Sequence, residues 1–210
     1  MESRVKVKIC GITNLEDALC AQESGADFLG FVFAQSPRRV APEKAGQIIK
    51  NISQQIKVAA LFVNEKKDVV DSVIATIGRV DLLQFHGEET PQYCGYFTGN
   101  KIIKAFRIKG EESISQIQGF TNADFVLLDG YSEKVYGGTG RGFDLELALK
   151  VKKYDIPLFL SGGLNPDNVK DAIDKVKPFC VDVSSGVEKS PGKKDHALIK
   201  LFIENAKPVS

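Results

Sequence analysis

Nearly continuous apolar runs recur along the chain, and each one is followed by a polar segment with helical spacing. Runs of this kind are typical of strands covered on both faces, as in a parallel sheet. We predict eight strands, at residues 5–10, 28–33, 57–63, 82–87, 101–108, 125–130, 158–163 and 180–186.

The segments between these runs carry apolar residues at the spacing of amphipathic helices. Asn14 and Asn165 are expected as helix N-caps, Gly78 as a helix end, and the final helix at about residues 195–206. Strict alternation of strand and helix predicts a parallel sheet, either open and doubly wound or closed into a barrel. Because there are eight strands, we favour a single-domain (β/α)8 TIM barrel over residues 1–210.

The composition of the chain limits which partners it can bind and where in the cell we expect it. The chain has 28 Lys plus Arg against 27 Asp plus Glu, so no global charge favours nucleic acid or a membrane surface. No apolar run resembles a signal peptide or approaches the roughly 20 residues of a bilayer span, and we expect a cytoplasmic protein, either a monomer or a homodimer.

The four cysteines and two histidines are widely spaced, with no C-x-x-C pair. This spacing argues against a disulfide framework and against a zinc site. We therefore expect reduced thiols, no metal and no cofactor.

The carboxyl ends of parallel barrel strands meet at one rim, where the active sites of such barrels lie. Cys10 ends the first predicted strand and Asp129 lies near the end of the sixth. A thiolate and a carboxylic acid on one rim could act as general base and general acid. The alternatives are a small buried cysteine that fills the barrel, and an aspartate that caps a helix or forms a loop ion pair.

The seventh and eighth predicted strands end in glycine-bearing segments, Gly162-Gly163 and Ser185-Gly186. Barrels often bind phosphate there, because backbone amides can approach the oxygens closely. The alternative is ordinary turn chemistry. Two such loops side by side favour a phosphate site.

Other polar residues of the rim are less decisive. Arg38 or Arg39 could bind a carboxylate through the guanidinium group, the alternative being a solvated arginine pair in a polar loop. His86 could orient another side chain through a hydrogen bond or have a structural role. The glycine-rich stretch at residues 130–142 is a candidate lid, and the charged run at residues 192–195 is expected to open the last helix.

Eight motifs together carry a specific resemblance across essentially the whole chain. They are KICGITN (8–14), GADFLGFVF (25–33), SPRRV (36–40), QFHGEE (84–89), LLDG (127–130), YGGTG (136–140), SGGLNPDNV (161–169) and DVSSGVE (182–188). This set resembles the phosphoribosylanthranilate isomerase family of tryptophan biosynthesis. The resemblance implies a cofactor-free Amadori rearrangement of N-(5-phosphoribosyl)anthranilate to the 1-deoxyribulose 5-phosphate, with Asp129 as general acid and Cys10 as general base.

The same resemblance places Arg38 near the anthranilate carboxylate and implies that Asp182 contacts a sugar hydroxyl while His86 lines the rim. It assigns the phosphate to the loops that contain Gly162, Gly163, Ser185 and Gly186. Arg39 stands where many relatives have an aromatic residue, which leaves open which of the two arginines points inward.

Two other functions remain possible from the residues alone. One is a different sugar-phosphate barrel isomerase, such as the aminoaldose isomerase of histidine biosynthesis, which uses paired carboxylates where this chain has Cys10. The other is a non-catalytic sensor of a phosphorylated ligand, which would not need both Cys10 and Asp129.

Overall fold

A computed structural model of the protein describes residues 4–108, 110–130 and 145–208. Eight parallel strands form a closed barrel in which each strand pairs with the next and β8 pairs with β1. The barrel strands are β1 Lys6–Cys10, β2 Phe28–Val32, β3 Lys57–Phe62, β4 Leu82–Phe85, β5 Lys101–Ile108, β6 Phe125–Gly130, β7 Leu158–Ser161 and β8 Cys180–Val183. The predicted closed barrel is thus confirmed.

Differences in strand bounds lie mainly at the carboxyl ends. The predicted strands at 82–87, 158–163 and 180–186 were too long, since β4, β7 and β8 end at Phe85, Ser161 and Val183. Gly162 and Gly163 have φ angles of 93° and 76°, a left-handed backbone that does not continue a strand. The polar residues of these ends therefore belong to the loops of the rim.

Helices cover the outside of the barrel. Those in the described residues are α1 Leu15–Glu23, α2 Pro42–Lys50, α3 Lys67–Ile77, α4 Pro91–Cys94, α5 Glu111–Ser115, α6 Leu145–Val151, α7 Val169–Val176 and α8 His196–Ala206. Asn14 caps α1 as predicted, since its side chain accepts a hydrogen bond from the Asp17 N–H, and Gly78 ends α3 with a φ angle of 76°.

Two predictions about helix starts were wrong. The Asn165 side chain accepts hydrogen bonds from the N–H groups of Asp167 and Asn168, which forms a turn before α7 begins at Val169. Lys193–Lys194 form a short strand, β10, that pairs antiparallel with β9 at Glu188–Ser190. Only Asp195 of that charged run serves α8, as its N-cap.

The amino end of the barrel is closed by aromatic rings. Phe28 of β2 and Phe125 of β6 each contact Phe159 of β7, with ring centroids 5.4 and 5.3 Å apart. Phe179, just before β8, packs against all three rings. Since β2 and β7 are not neighbours in the barrel, this contact lies inside it, and the rings form an apolar floor below the polar carboxyl rim.

Candidate active site

One cavity of about 370 Å³ opens at the carboxyl ends of the strands. It is lined by Cys10, Val32, Ala34, Gln35, Ser36, Arg38, Leu61, Val63, Gln84, His86, Arg107, Asp129, Ser161, Gly162, Gly163, Leu164, Asp182, Val183, Ser184 and Ser185. Eight of the nine predicted site residues are in this set. The ninth, Gly186, is not.

Cys10 is the last residue of β1 and is only 5% exposed. Its side chain packs with Val32 and Leu61 in a small apolar cluster at the wall of the cavity. Burial raises the pKa of the Cys10 thiol, and Asp182 raises it further, whereas the positive charges of Lys8 and Lys194 lower it. Burial is the largest of these effects, and the pKa of the Cys10 thiol lies above its ordinary value.

The residue most clearly missed from the sequence is Lys8, which is fully buried. Its Nζ lies 2.8 Å from Asp182 Oδ1, and Ser161 Oγ donates a hydrogen bond to Asp182 Oδ2. Burial alone would lower the pKa of Lys8, but the charges of Asp182 and Cys10 raise it above its usual value. The available signal was the two-residue spacing to Cys10, which places both side chains on one face of β1.

Asp129 lies on β6 with its side chain 35% exposed, and it shares a hydrogen bond with His86. His86 Nε2 is 3.2 Å from Asp129 Oδ2, and His86 Nδ1 is 3.1 Å from Gln84 Nε2. Gln84 is fully buried, and its Oε1 has no hydrogen-bond partner among the described residues. Gln84, like Lys8, was not singled out from the sequence because it stands within an otherwise apolar strand.

Arg38 and Arg39 point to different places. Arg38 lines the cavity, and its Nε and Nη2 donate hydrogen bonds of 2.8 and 2.7 Å to the two carboxylate oxygens of Glu188. Glu188 also accepts a 2.9 Å hydrogen bond from the buried Lys194 Nζ. Arg39 lines a separate cleft with Phe33, among others, on the outer side of β2 and β3. Arg38 is therefore the inward arginine, and the sequence had not revealed its partner Glu188.

The glycine-rich loops meet the cavity in different ways. Gly162 and Gly163 both line it, and a Cβ on Gly162 would lie 2.1 Å from the Gly130 backbone nitrogen. Ser185 also lines it, at the start of a 3-10 helix, Ser185–Val187. A Cβ on Gly186 would lie 2.0 Å from the Leu164 carbonyl oxygen, so close packing of two loops accounts for that glycine.

Other sequence predictions concern features beyond this cavity. The candidate lid at residues 130–142 lies outside the described residues except for Gly130, the last residue of β6. Within the described ranges, no three or more His, Cys, Asp or Glu side chains are grouped so that they could hold a metal ion. In the same part of the chain, every helix is too short or too polar to cross a bilayer.

The geometry is that of a (β/α)8-barrel enzyme whose active site lies at the carboxyl rim. The family model described as N-(5'-phosphoribosyl)anthranilate (PRA) isomerase matches residues 7–205. The chain belongs to this family. The family and the isomerase class predicted from the sequence motifs are thereby confirmed.

Individual relatives agree over almost the full length. The N-(5'-phosphoribosyl)anthranilate isomerase of Geobacter sulfurreducens is 50% identical over 204 residues, which covers 97% of this chain and 98% of the relative. The crystal structure of phosphoribosyl anthranilate isomerase from Thermotoga maritima has a TM-score of 0.89 at 45% identity, covering 96% of this chain and 98% of that one. A phosphoribosyl anthranilate isomerase in complex with reduced 1-(o-carboxyphenylamino)-1-deoxyribulose 5-phosphate has a TM-score of 0.87 at 42% identity, with the same coverage.

Proposed function

We propose that the rim cavity catalyses the Amadori rearrangement of N-(5'-phosphoribosyl)anthranilate by general acid–base chemistry, with Asp129 as the acid and Cys10 as the base. The observation that carries this proposal is that both side chains line the same cavity, from strands β6 and β1, which are separated by β7 and β8. A thiolate and a carboxylic acid in one small cavity can act on two atoms of a single sugar, here the ring oxygen and C2.

In the first step the protonated Asp129 donates its proton to the ribose ring oxygen as the bond from that oxygen to C1 breaks. The anthranilate nitrogen supplies its electron pair to C1, which gives an open-chain iminium ion. In the second step the Cys10 thiolate removes the proton from C2, and those electrons neutralise the iminium to form an enolamine. Proton return to C1 and loss of the C2 hydroxyl proton give the ketone, so the substrate nitrogen is the electron sink and no cofactor takes part.

Arg38 is assigned to the anthranilate carboxylate. Glu188 uses the Arg38 Nε and Nη2 donors, which leaves Nη1 for the substrate while the guanidinium plane is held fixed. A planar guanidinium restrained in this way recognises a carboxylate with defined geometry. Asp182 is assigned to a sugar hydroxyl.

The phosphate is assigned to the loops after β7 and β8, with backbone N–H groups near Gly162, Gly163 and Ser185 as donors. In support, these three residues line the same cavity as Cys10 and Asp129. Gly186 would contribute through its backbone, behind the lining residues. A substrate held by its phosphate at one end and its carboxylate at the other presents the ribose to the acid and the base.

We further propose a cytoplasmic enzyme that acts as a monomer or homodimer and binds neither nucleic acid nor membranes. In support, Lys plus Arg number 28 and Asp plus Glu 27, so the chain offers no strong net charge for either partner. Light scattering on the purified chain over a range of concentrations distinguishes the two oligomeric states.

The test is the decay of anthranilate fluorescence when the purified protein receives freshly generated phosphoribosylanthranilate, with and without a chelator. We expect turnover in both conditions. Cys10→Ala and Asp129→Asn are expected to lose about 10²- to 10⁴-fold in rate. Cys20→Ala, which changes a buried thiol on α1, is the matched control and should retain full activity.

Retention of more than about a tenth of the rate by a folded Cys10→Ala or Asp129→Asn variant would overturn the corresponding role, given typical losses for an acid or base. Loss of turnover with chelator, restored by added zinc or magnesium, would overturn the metal-free mechanism.

A further inference from the structure

The barrel interior contains a charged pair directly beside Cys10. Lys8 is fully buried, and its Nζ lies 2.8 Å from Asp182 Oδ1 on the neighbouring strand β8. Removing two charges from water is costly, and replacing a buried pair by apolar residues is often neutral or stabilising. Stability alone thus gives no reason for an ammonium group at this position.

The thiol and the ammonium group share a space that Gly30 leaves open. A Cβ built on Gly30 of β2 would lie 2.8 Å from Cys10 Sγ and 3.1 Å from Lys8 Nζ. Both atoms therefore lie against the same point of the β2 backbone. A side chain at position 30 would occupy the space in which the ammonium group and the thiol approach each other.

The charged groups around Cys10 come from several elements. Lys8 lies on its own strand, Asp182 on β8, Lys194 on β10 and Arg38 in the loop after β2. Lys194 and Arg38 both form ion pairs with Glu188, whose single negative charge offsets one of their two positive charges. Lys8 lowers the pKa of the thiol against the increase that burial causes, whereas Asp182 adds to that increase.

We propose that Lys8 is a positioning residue for the reaction: its ammonium group, held by Asp182, stabilises the thiolate form of Cys10. This inference rests on the assignment of Cys10 as the general base. Without a cation beside it, burial would raise the pKa of the Cys10 thiol further, and less of the thiolate that accepts the C2 proton would be present. Asp182 fixes the Lys8 side chain and at the same time limits how far the thiolate is stabilised.

The inference is tested by the pH dependence of iodoacetamide alkylation at Cys10, followed by peptide mass spectrometry. Only the thiolate reacts, so the midpoint of the rate profile reports ionisation separately from access. In Lys8→Met, whose side chain has similar length without charge, we expect the midpoint to rise by at least about one pH unit. In Asp182→Asn we expect it to fall. Cys94, which packs behind the barrel wall on α4, provides an internal control whose midpoint should not move.

An unchanged Cys10 midpoint in folded Lys8→Met would overturn the proposal, because a purely structural lysine would not affect the ionisation of the thiol. Should Lys8→Met fail to fold with Asp182 left unpaired, the double variant K8M/D182N removes both charges together. Its midpoint must then lie above that of Asp182→Asn alone, and equal midpoints would overturn the proposal.

Turnover separates this inference from the proposed function. If Cys10 is the base, the acid limb of kcat/KM against pH shifts together with the alkylation midpoint. If the midpoint shifts but Cys10→Ala keeps its turnover, the influence of Lys8 on the thiol stands and the assignment of Cys10 as the base fails.

Discussion

His86 Nε2 lies 3.2 Å from Asp129 Oδ2, and the opposite ring nitrogen, Nδ1, lies 3.1 Å from Gln84 Nε2. An amide nitrogen only donates hydrogen bonds, so in this arrangement Nδ1 accepts and Nε2 carries the proton that faces Asp129. Gln84 thereby selects the tautomer of His86, and His86 orients the carboxyl group proposed as the general acid.

The first prediction concerns this coupling. His86→Phe keeps a ring of similar shape but removes the hydrogen bond to Asp129, and we expect kcat to fall by about 10- to 100-fold, the range seen for orienting partners of functional groups. In an Asp129→Asn background the same substitution should cost little, because the carboxyl group that His86 orients is already absent. Steady-state kinetics on the two single variants and the double variant measure this. Multiplicative losses in the double variant would mean that His86 acts independently of Asp129.

The second prediction separates the two neighbouring arginines. Arg38→Met should raise KM by about 10- to 100-fold, since a hydrogen bond to a charged group contributes roughly 1.5 to 3 kcal/mol. Arg39→Met is the matched control, because Arg39 lines a cleft outside the barrel rim. KM and Tm are measured on both variants. Equal changes in KM would contradict the assignment of Arg38 to the substrate carboxylate.

The third prediction concerns stability against pH. Burial would raise the pKa of Glu188, but hydrogen bonds from Arg38 and Lys194 lower it below its ordinary value of 4.5. A carboxyl group whose pKa is lower in the folded state contributes stability that is fully present above the unfolded-state value and is lost as pH falls through the folded-state value. Glu188→Gln should therefore lower the free energy of unfolding at pH 7, by about 3 to 5 kcal/mol for a broken buried pair. The difference from the unsubstituted protein should shrink below about pH 4.5.

Denaturant unfolding at a series of pH values measures this difference. Glu146→Gln is the control, because Glu146 pairs with Lys175 on the surface, where such pairs contribute up to about 1 kcal/mol. A difference between Glu188→Gln and the unsubstituted protein that stays constant into acid pH would show that the charge of Glu188 is not what stabilises the fold.

Much of the fold could be predicted because strands buried on both faces leave a direct signal in the sequence. The observed starts of β5 at Lys101 and of β6 at Phe125 match the predicted starts, and the number of apolar runs equals the number of barrel strands. The carboxyl ends were less predictable. A glycine such as Gly162 extends an apparently apolar run, although its backbone angles end the strand.

The candidate site was predicted where a polar residue follows an apolar run, as Asp129 does. It was missed where a polar residue lies within the run and faces the barrel interior, as Lys8 and Gln84 do. Lys8 is buried with a partner from a distant part of the chain, Asp182, whereas Gln84 is buried with a partner only two residues away, His86, whose side chain turns back toward it. The β9–β10 hairpin was missed because Lys194 looks like a solvated charge until Glu188 is placed beside it.

The last prediction tests the phosphate site with two glycines that share the same positive φ angle. Gly163 and Gly78 both have φ angles of 76°, and a Cβ on either would meet nothing within 4 Å. Alanine at either position must adopt a left-handed backbone, which costs about 1 to 2 kcal/mol, and we expect similar decreases in Tm for the two variants. Of the two glycines, only Gly163 lines the cavity. Gly163→Ala alone should therefore weaken competitive inhibition by inorganic phosphate and raise KM, because the new methyl group occupies space that the phosphate oxygens need.

Gly78→Ala, at the end of α3, should be inhibited by phosphate and turn over substrate like the unsubstituted protein. Gly186 is unsuitable for this comparison, since a Cβ there would lie 2.0 Å from the Leu164 carbonyl oxygen and the damage to folding would dominate. Phosphate inhibition constants, KM and Tm on the two alanine variants settle the question together. If Gly163→Ala loses stability as Gly78→Ala does but binds phosphate and substrate normally, the loop after β7 is a turn and the phosphate binds elsewhere.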